Sequence, residues 1–493
     1  MAVSLGSCKK FLDEKPYSFL SPKNFPSNAA EADIALRGIY AIMQGYNEYE
    51  EFDFRMFDYL LPALLCENND IVNQTYIPIN VNRRESYYAP PFEGFYFGIN
   101  YANTLIDALS KMDESWVPAK VAEAKAIRAY YYFWLVRMFS DVPLKLTPTT
   151  DAKLKPERTP VPEIYKQIVL DLKEAENLLP DLANGDGRIT KGACKGILVQ
   201  VYMSMAGSRR TPDGVNVPGD PANYALARDK AKEVLDMPNY HLASDYTQLF
   251  KDLGLDVYNP EMIFDVPFTW HGGGDVGADF PVLFGPADPD GGDGQIGGGK
   301  YGSQNPLVEW LRELEPNDKR VPWNIADYYY TTQTWIKVPY TDSSQWTIAV
   351  YRKLPEGSDE HKFGWATFWY NFPLVRLADI KLLYAEAINE TDGPTAEAYK
   401  QVNDIRNRAG LGNLPAGLSK SAFKDRIIAE RAIEFVGEGN RHFDLVRWGI
   451  YKQRMDSRKR SPWVLDYGGV DEIFTNAPIP QRELDLNGWS QNK

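Results

Sequence analysis

Two stretches of this chain combine flat aromatic rings with side chains that hydrogen-bond in two directions. The first runs from Asn68-Asn69-Asp70 to Asn82-Arg83-Arg84-Glu85-Ser86-Tyr87-Tyr88, ahead of Asn100 and Asn103. The second runs from Trp323-Asn324 through Tyr328-Tyr329-Tyr330 to Trp335 and Trp346. Aromatic faces stack on the apolar faces of sugar rings, while Asn, Asp, Arg and Gln exchange hydrogen bonds with hydroxyls, so the mixture suits a carbohydrate. Rings of these types also fill cores and anchor protein interfaces, so each single tryptophan carries less weight than the set.

Other constellations offer different chemistry. Glu430, Glu434 and Glu438 recur every fourth residue, with Arg431, Arg441 and Arg447 interspersed. That spacing puts the acids on one helix face, where they could form a carboxylate active site or lace two helices together by charge-assisted hydrogen bonds. The structural clamp is the preferred reading, because ion-pair networks gather carboxylates just as active sites do. Asp288, Asp290 and Asp293 in a glycine-rich turn present the oxygen ligands calcium prefers, without the distal glutamate of an EF-hand. An exposed acidic turn is the reading adopted, and neither metal nor cofactor is expected. The four histidines, His241, His271, His361 and His442, form no zinc-pair spacing, and the chain has no G-x-S-x-G elbow or phosphate-cradling glycine loop. A glycosidase would need only two carboxylates at the right separation, which leaves that class open among 67 acidic residues.

The elements that would carry these groups are mostly helical. Ala126 is followed by Tyr130, Tyr131 and Leu135, Ala193 by Ile197, Leu198 and Tyr202, and Ala378 by Leu382, Leu383 and Ala387, one apolar pattern three times over. The first two copies lie about two tetratricopeptide periods of ~34 residues apart. Further stripes run through Ile164, Ile168, Leu172, Ala175 and Leu179, and through Ala398, Val402, Ile405 and Ala409, the latter opened by Pro394 and closed by Gly410. Phe423, Ile427, Ile428, Ala432, Phe435 and Val436 form another, ended by Gly437 and Gly439. Helix pairs of this kind must stack to bury their faces. The region between them is rich in glycine, proline and isolated aromatics, which predicts loops and short strands forming a functional face.

Composition bounds the partners. The 493 residues carry a formal net charge of −13, which repels phosphate backbones and argues against nucleic acid. Three cysteines, Cys8, Cys66 and Cys194, make no disulfide scaffold, and Cys194 falls on a helical apolar stripe. No apolar run after Cys8 is long enough to span a bilayer.

The segment Glu430-Arg431-Ala432-Ile433-Glu434-Phe435-Val436-Gly437-Glu438-Gly439-Asn440-Arg441-His442-Phe443-Asp444-Leu445-Val446-Arg447-Trp448-Gly449 resembles the closing signature of the SusD/RagB family, E-R-x-x-E-F-x-x-E-G-x-R-x-x-D-L-x-R-W-G, at every fixed position. Arg128 to Leu135 with Asp141-Val142-Pro143-Leu144, and Leu377-Ala378-Asp379-Ile380 with Tyr384-Ala385-Glu386-Ala387, also look like family motifs. Leu5-Gly6-Ser7-Cys8 looks like a lipobox, although the residues before it are too few for a full secretory signal.

The resemblance implies a mainly α, tetratricopeptide-like scaffold with a loop-rich insertion containing short strands. It divides the chain into a tether (1–27), scaffold helices (28–240), a ligand-binding region (241–372) and C-terminal helices with a tail (373–493). It further implies a surface-exposed outer-membrane lipoprotein, anchored through lipidated Cys8, that binds an oligosaccharide without cleaving it and delivers it to a SusC-like TonB-dependent transporter. Family sites draw an aromatic arc from both polar-aromatic stretches, and the contacts expected here are Asn82, Arg84, Tyr87, Trp323, Tyr329, Trp335 and Trp346, with Trp270 from the loop-rich region between the stretches. Peptide cargo, as in some relatives, and an all-helical glycoside hydrolase are the alternatives, with a scaffold that only binds another protein as a third class.

Overall fold

The apolar stripes form the helices their spacing predicts. The computed structural model describes residues 25–44, 71–73, 81–150, 155–181, 187–253, 258–268, 304–330, 335–337, 339, 346–348, 371–458 and 476–493. Of residues 71–73, 81–87, 253, 304, 308–309, 329–330, 335–336, 347 and 455–458 it describes only the backbone. In the first half, α1 (Ala29–Gln44), α2 (Val81–Leu109), α3 (Val117–Phe139), α4 (Val161–Glu176), α5 (Lys191–Ala206) and α6 (Ala222–Leu235) each pack against the next. Local chemistry sets several of their ends. Pro118 pre-organises the first turn of α3, and Thr190 caps α5 by accepting a hydrogen bond from the Ala193 N–H at 3.1 Å.

Small residues let these helices approach closely. A Cβ placed on Gly98 of α2 would lie 2.3 Å from the Tyr131 ring of α3, so only glycine fits there. Tyr131 cannot swing away, because its ring is buried and its hydroxyl donates to the Ile39 carbonyl at 2.5 Å. The aromatic run Tyr130 to Trp134 lies in the core, which accounts for part of the chain's aromatic content.

Beyond α6 come α7 (Tyr246–Leu253), α8 (Val308–Glu313) and the one-turn α9 (Val321–Asn324), then α10 (Leu377–Asp392), α11 (Ala396–Arg408), α12 (Lys420–Glu434), α13 (Asn440–Arg447), α14 (Tyr451–Arg458) and α15 (Gln481–Asn487). Helix α10 is buried around its whole circumference from Leu377 to Asn389 and packs on α6, α11 and α12. A helix apolar or buried all round belongs at the centre of a fold. One hydrophobic core therefore includes residues from before and after the insertion. Helix α11 departs from expectation in one detail: Pro394 precedes the helix, and the cap is Thr395, whose Oγ1 accepts from the Ala398 N–H at 3.3 Å.

The strands are short and pair only in twos among the described residues. They are β1 (Ile71–Asn73), β2 (Arg209–Arg210), β3 (Asn216–Val217), β4 (Met262–Val266), β5 (Gln304–Pro306), β6 (Ile325–Ala326), β7 (Tyr328–Tyr330), β8 (Trp335–Lys337), β9 (Thr347–Ile348) and β10 (Phe372–Arg376). The antiparallel pairs are β1 with β5, β2 with β3, β4 with β10, β6 with β9 and β7 with β8. The architecture is thus mainly α with a strand-bearing, loop-rich insertion. Strand β10 runs straight into α10, and room for it exists because Gly196 of α5 has no side chain: a Cβ there would meet Val375 at 2.7 Å.

Candidate functional site

The signature glutamates do clamp the fold, though mostly with arginines from outside the signature. Arg320, with no exposed surface, sits between Asp318 (2.7 Å), Glu430 (2.6 Å) and Glu434 (2.9 Å). Arg376, at the end of β10, pairs with Glu438 and Glu261 at 2.7 Å and with Glu434 at 2.9 Å. Arg408 completes the cluster by pairing with Glu261 at 2.6 Å and with Glu434. Within the signature, Arg431 joins Asp444 to Asp379 at 2.7 Å each, and Arg447 joins Asp444 to Glu386. Arg441 instead donates to the Ile428 carbonyl at 2.9 Å. Gly437 and Gly439 make the bend that α13 needs, with φ of 80° and 74°. Burial pushes the Glu434 carboxyl up, but Arg408, Arg376 and Arg320 outweigh it and hold the group at about 2. At Glu438 burial prevails over Arg376 and pushes the carboxyl up to about 7.

This cluster fixes the floor of a cavity. Residues 321–328 rise directly from Arg320, with Pro322 starting the single turn of α9. Asn324, fully buried, donates to the Ile433 carbonyl at 2.8 Å and accepts from the Tyr246 hydroxyl at 3.0 Å. Trp323 is therefore held between two residues that are themselves bolted to α12. The next strand, β6, pairs with β9 and so brings in Trp346, whose carbonyl accepts from Asn305 Nδ2 of β5 at 2.7 Å. The β7–β8 hairpin sets Tyr328 opposite Lys337. Lys337 Nζ lies 5.5 Å from the Tyr328 ring centre and 2.9 Å from Asp327 Oδ1.

These elements enclose a cavity of about 530 Å³ whose walls include Trp323, Trp346, Tyr328, Asp327, Lys337 and Lys319. That volume falls in the range of small-molecule sites, which are typically apolar with a few placed polar groups. Trp323 is 8% exposed and thus contributes an edge, while Trp346 is half-buried. The cavity can stack a planar apolar face and can form hydrogen bonds or ion pairs through its carboxylate and ammonium groups.

Of the eight residues expected at the site, Trp323 and Trp346 line this one cavity. Tyr329 and Trp335 lie in its hairpin, and Asn82, Arg84 and Tyr87 lie in the first turns of α2, all five with side chains outside the described residues. Trp270, Cys8, Cys66 and the Asp288–Asp293 turn lie outside the described residues altogether. The β1–β5 pairing and the Asn305–Trp346 hydrogen bond link the backbone of the first polar stretch to the aromatic loop of the second. Lys319, Asp327 and Lys337 were not anticipated, and Tyr328, part of the second aromatic stretch, was not among the expected contacts. Two short runs of strand-forming residues, Tyr328-Tyr329-Tyr330 and Trp335-Ile336-Lys337, separated by four residues, carry a hairpin signal that could have found Tyr328 and Lys337.

Comparison with known proteins places the chain in a group. The family profile described as "SusD family" matches residues 260–490, and a second, "Starch-binding associating with outer membrane", matches 10–203. The chain is 24% identical to the SusD-like protein P25 of Formosa agariphila over 99% of this chain and 95% of the relative. A SusD homologue from Bacteroides thetaiotaomicron superposes with a TM-score of 0.81 at 24% identity, covering 96% of this chain and 98% of that one. A laminarin-binding SusD-like protein superposes at 0.70 with 25% identity, covering 94% and 99%.

Proposed function

The chain belongs to the SusD family, and from that membership we propose that it captures an oligosaccharide in the cavity between Trp323 and Trp346 without cleaving it. The observation that carries this reading is the convergence of two tryptophans from different elements, α9 and the approach to β9, on one cavity whose floor is locked to the signature helix. Support comes from the starch-binding description of the profile matched by residues 10–203 and from the laminarin-binding relative. Stacking plus hydroxyl hydrogen bonding gives reversible affinity, which suits capture followed by release.

On this reading residues 1–27 are a tether lipidated at Cys8, residues 28–240 and 373–493 a scaffold, and residues 241–372 the ligand-binding region. The protein then sits on the outer-membrane surface and passes its ligand to a TonB-dependent transporter. Asn82, Arg84, Tyr87, Trp270, Tyr329 and Trp335 are proposed as further ligand contacts.

The test is calorimetric titration and tryptophan quenching against a panel of soluble polysaccharides, with Trp346→Ala beside the parent protein. Saturable binding that weakens at least tenfold in the variant, with no new reducing ends after prolonged incubation, is the expected result. New reducing ends would make the protein a glycosidase, and silence across the panel would turn the reading toward peptide cargo.

A further inference from the structure

The acidity of this chain makes the charge at its cavity conspicuous. Against a formal net charge of −13, two lysines, Lys319 and Lys337, line the cavity, and Lys251 of α7 stands with its Nζ 5.6 Å from the centre of the Trp323 ring. Lys337 is matched by Asp327 at 2.9 Å. Lys319 and Lys251 face no carboxylate at ion-pair distance among the described residues, although exposed lysines elsewhere in the fold, such as Lys111, Lys166, Lys232 and Lys400, each find one.

Lys319 is also held in place. Its backbone N–H donates to the Ala409 carbonyl at 3.0 Å, and its methylene stem lies where a Cβ on Gly410 would come within 2.8 Å. Both unmatched lysines stand near the C-terminal end of a helix, α11 for Lys319 and α7 for Lys251, where a cation interacts favourably with the helix dipole. That preference explains a positive charge at either place. It does not explain why Lys319 lines the cavity while Lys251 stands beside the Trp323 ring that forms part of its wall.

We propose that the cavity is built for an anionic saccharide, one bearing carboxylate or sulfate groups, with Lys319 and Lys251 supplying the matching charge beside the aromatic platform. This proposal rests on the capture reading above and adds the chemical class of its ligand. A ring stacked on Trp346 beside the Trp323 edge presents its substituents at its rim, within reach of flexible ammonium groups, and lysine serves such anions as a mobile point charge. The surrounding negative field of the protein would repel a polyanion at long range, so attraction must be concentrated at the site itself.

The experiment titrates the full chain with two neutral polysaccharides, laminarin and xyloglucan, with two anionic ones, polygalacturonate and a sulfated galactan, and with polyglutamate as a polyanion that is no sugar. Each titration is run at about 50 mM and about 500 mM salt, between which the screening length shortens by about threefold. The expected result is preference for an anionic saccharide, affinity that falls severalfold with salt, and a further loss of roughly threefold to tenfold in Lys319→Gln/Lys251→Gln. Lys319→Arg/Lys251→Arg should keep most of the affinity, which separates charge from packing. The polygalacturonate and sulfated-galactan arms tell carboxylate from sulfate recognition, and either supports the proposal. Tight, salt-independent binding of a neutral glycan alone overturns it and leaves capture standing. Equal binding of polyglutamate overturns it as non-specific attraction, and absence of binding to every saccharide overturns both readings.

Discussion

Replacing Arg320 with methionine removes a cation that joins the cavity floor to the signature helix, and the structure sets the size of the effect. Three buried carboxylates meet at this guanidinium. After the substitution Glu434 keeps Arg376 and Arg408, and Glu430 keeps Arg406 at 3.3 Å. Asp318 is left with no cation in its present contacts, only the backbone N–H of residue 320 at 2.9 Å. One carboxylate is therefore stranded in a buried place, which typically costs about 3–5 kcal/mol. Urea unfolding followed by tryptophan fluorescence at pH 7 measures it. Arg320→Lys, which keeps the charge but cannot serve three carboxylates at once, should lose about 1–2 kcal/mol at pH 7. A loss below about 1 kcal/mol for the methionine variant at pH 7 would refute the clamp.

The pH dependence of the unmodified protein should have two limbs. Glu434 is held at about 2 and Asp444 is also lowered, by Arg431 and Arg447 against burial, so the stability they contribute is complete above the ordinary carboxylate range and is lost as pH falls from about 4.5 toward 2. Glu438, raised to about 7, works the other way: its contribution is complete below its unfolded value and is lost as pH rises through 7. Urea midpoints at pH 2.5, 5 and 8 should therefore peak at the middle value, and a monotonic series would contradict the assignment. Gly98→Ala drives a methyl into a ring pinned at both ends, so thermal unfolding should report a loss of about 1–3 kcal/mol, whereas Gly393→Ala, with open space but φ of 82°, should lose only the smaller cost of backbone strain. Thr190→Ala removes the α5 cap and should cost about 1 kcal/mol, with Thr190→Ser restoring most of it, as read from the same unfolding curves.

Much of the scaffold was legible because helices announce themselves locally. The stripe Phe423, Ile427, Ile428, Ala432 is buried as its spacing requires, the Ala193 and Ala378 patterns fall in the two helices that flank Val375, and Gly410 and Gly437 take the positive φ that ends a helix. The family signature, too, was complete in the sequence. What the sequence left open was partnership. Charge has no period that reveals a distant mate, so nothing near Glu434 marked Arg320, Arg376 and Arg408 as its partners.

The candidate site divides along the same line. The aromatic richness of 323–346 identified the right neighbourhood, since Trp323 and Trp346 do share a cavity. The lysines there escaped notice, because Lys319, which lines the cavity, and Lys251, beside the Trp323 ring, look like ordinary solvated residues until chain reversals bring them to the same region. Residue types and short-range spacing thus determined the helices, their ends and the family. Tertiary structure alone decided which charges meet, which glycines must stay bare and where a cavity opens, because those depend on contacts between segments well separated along the chain, such as Arg320 with Glu434 and Gly196 with Val375.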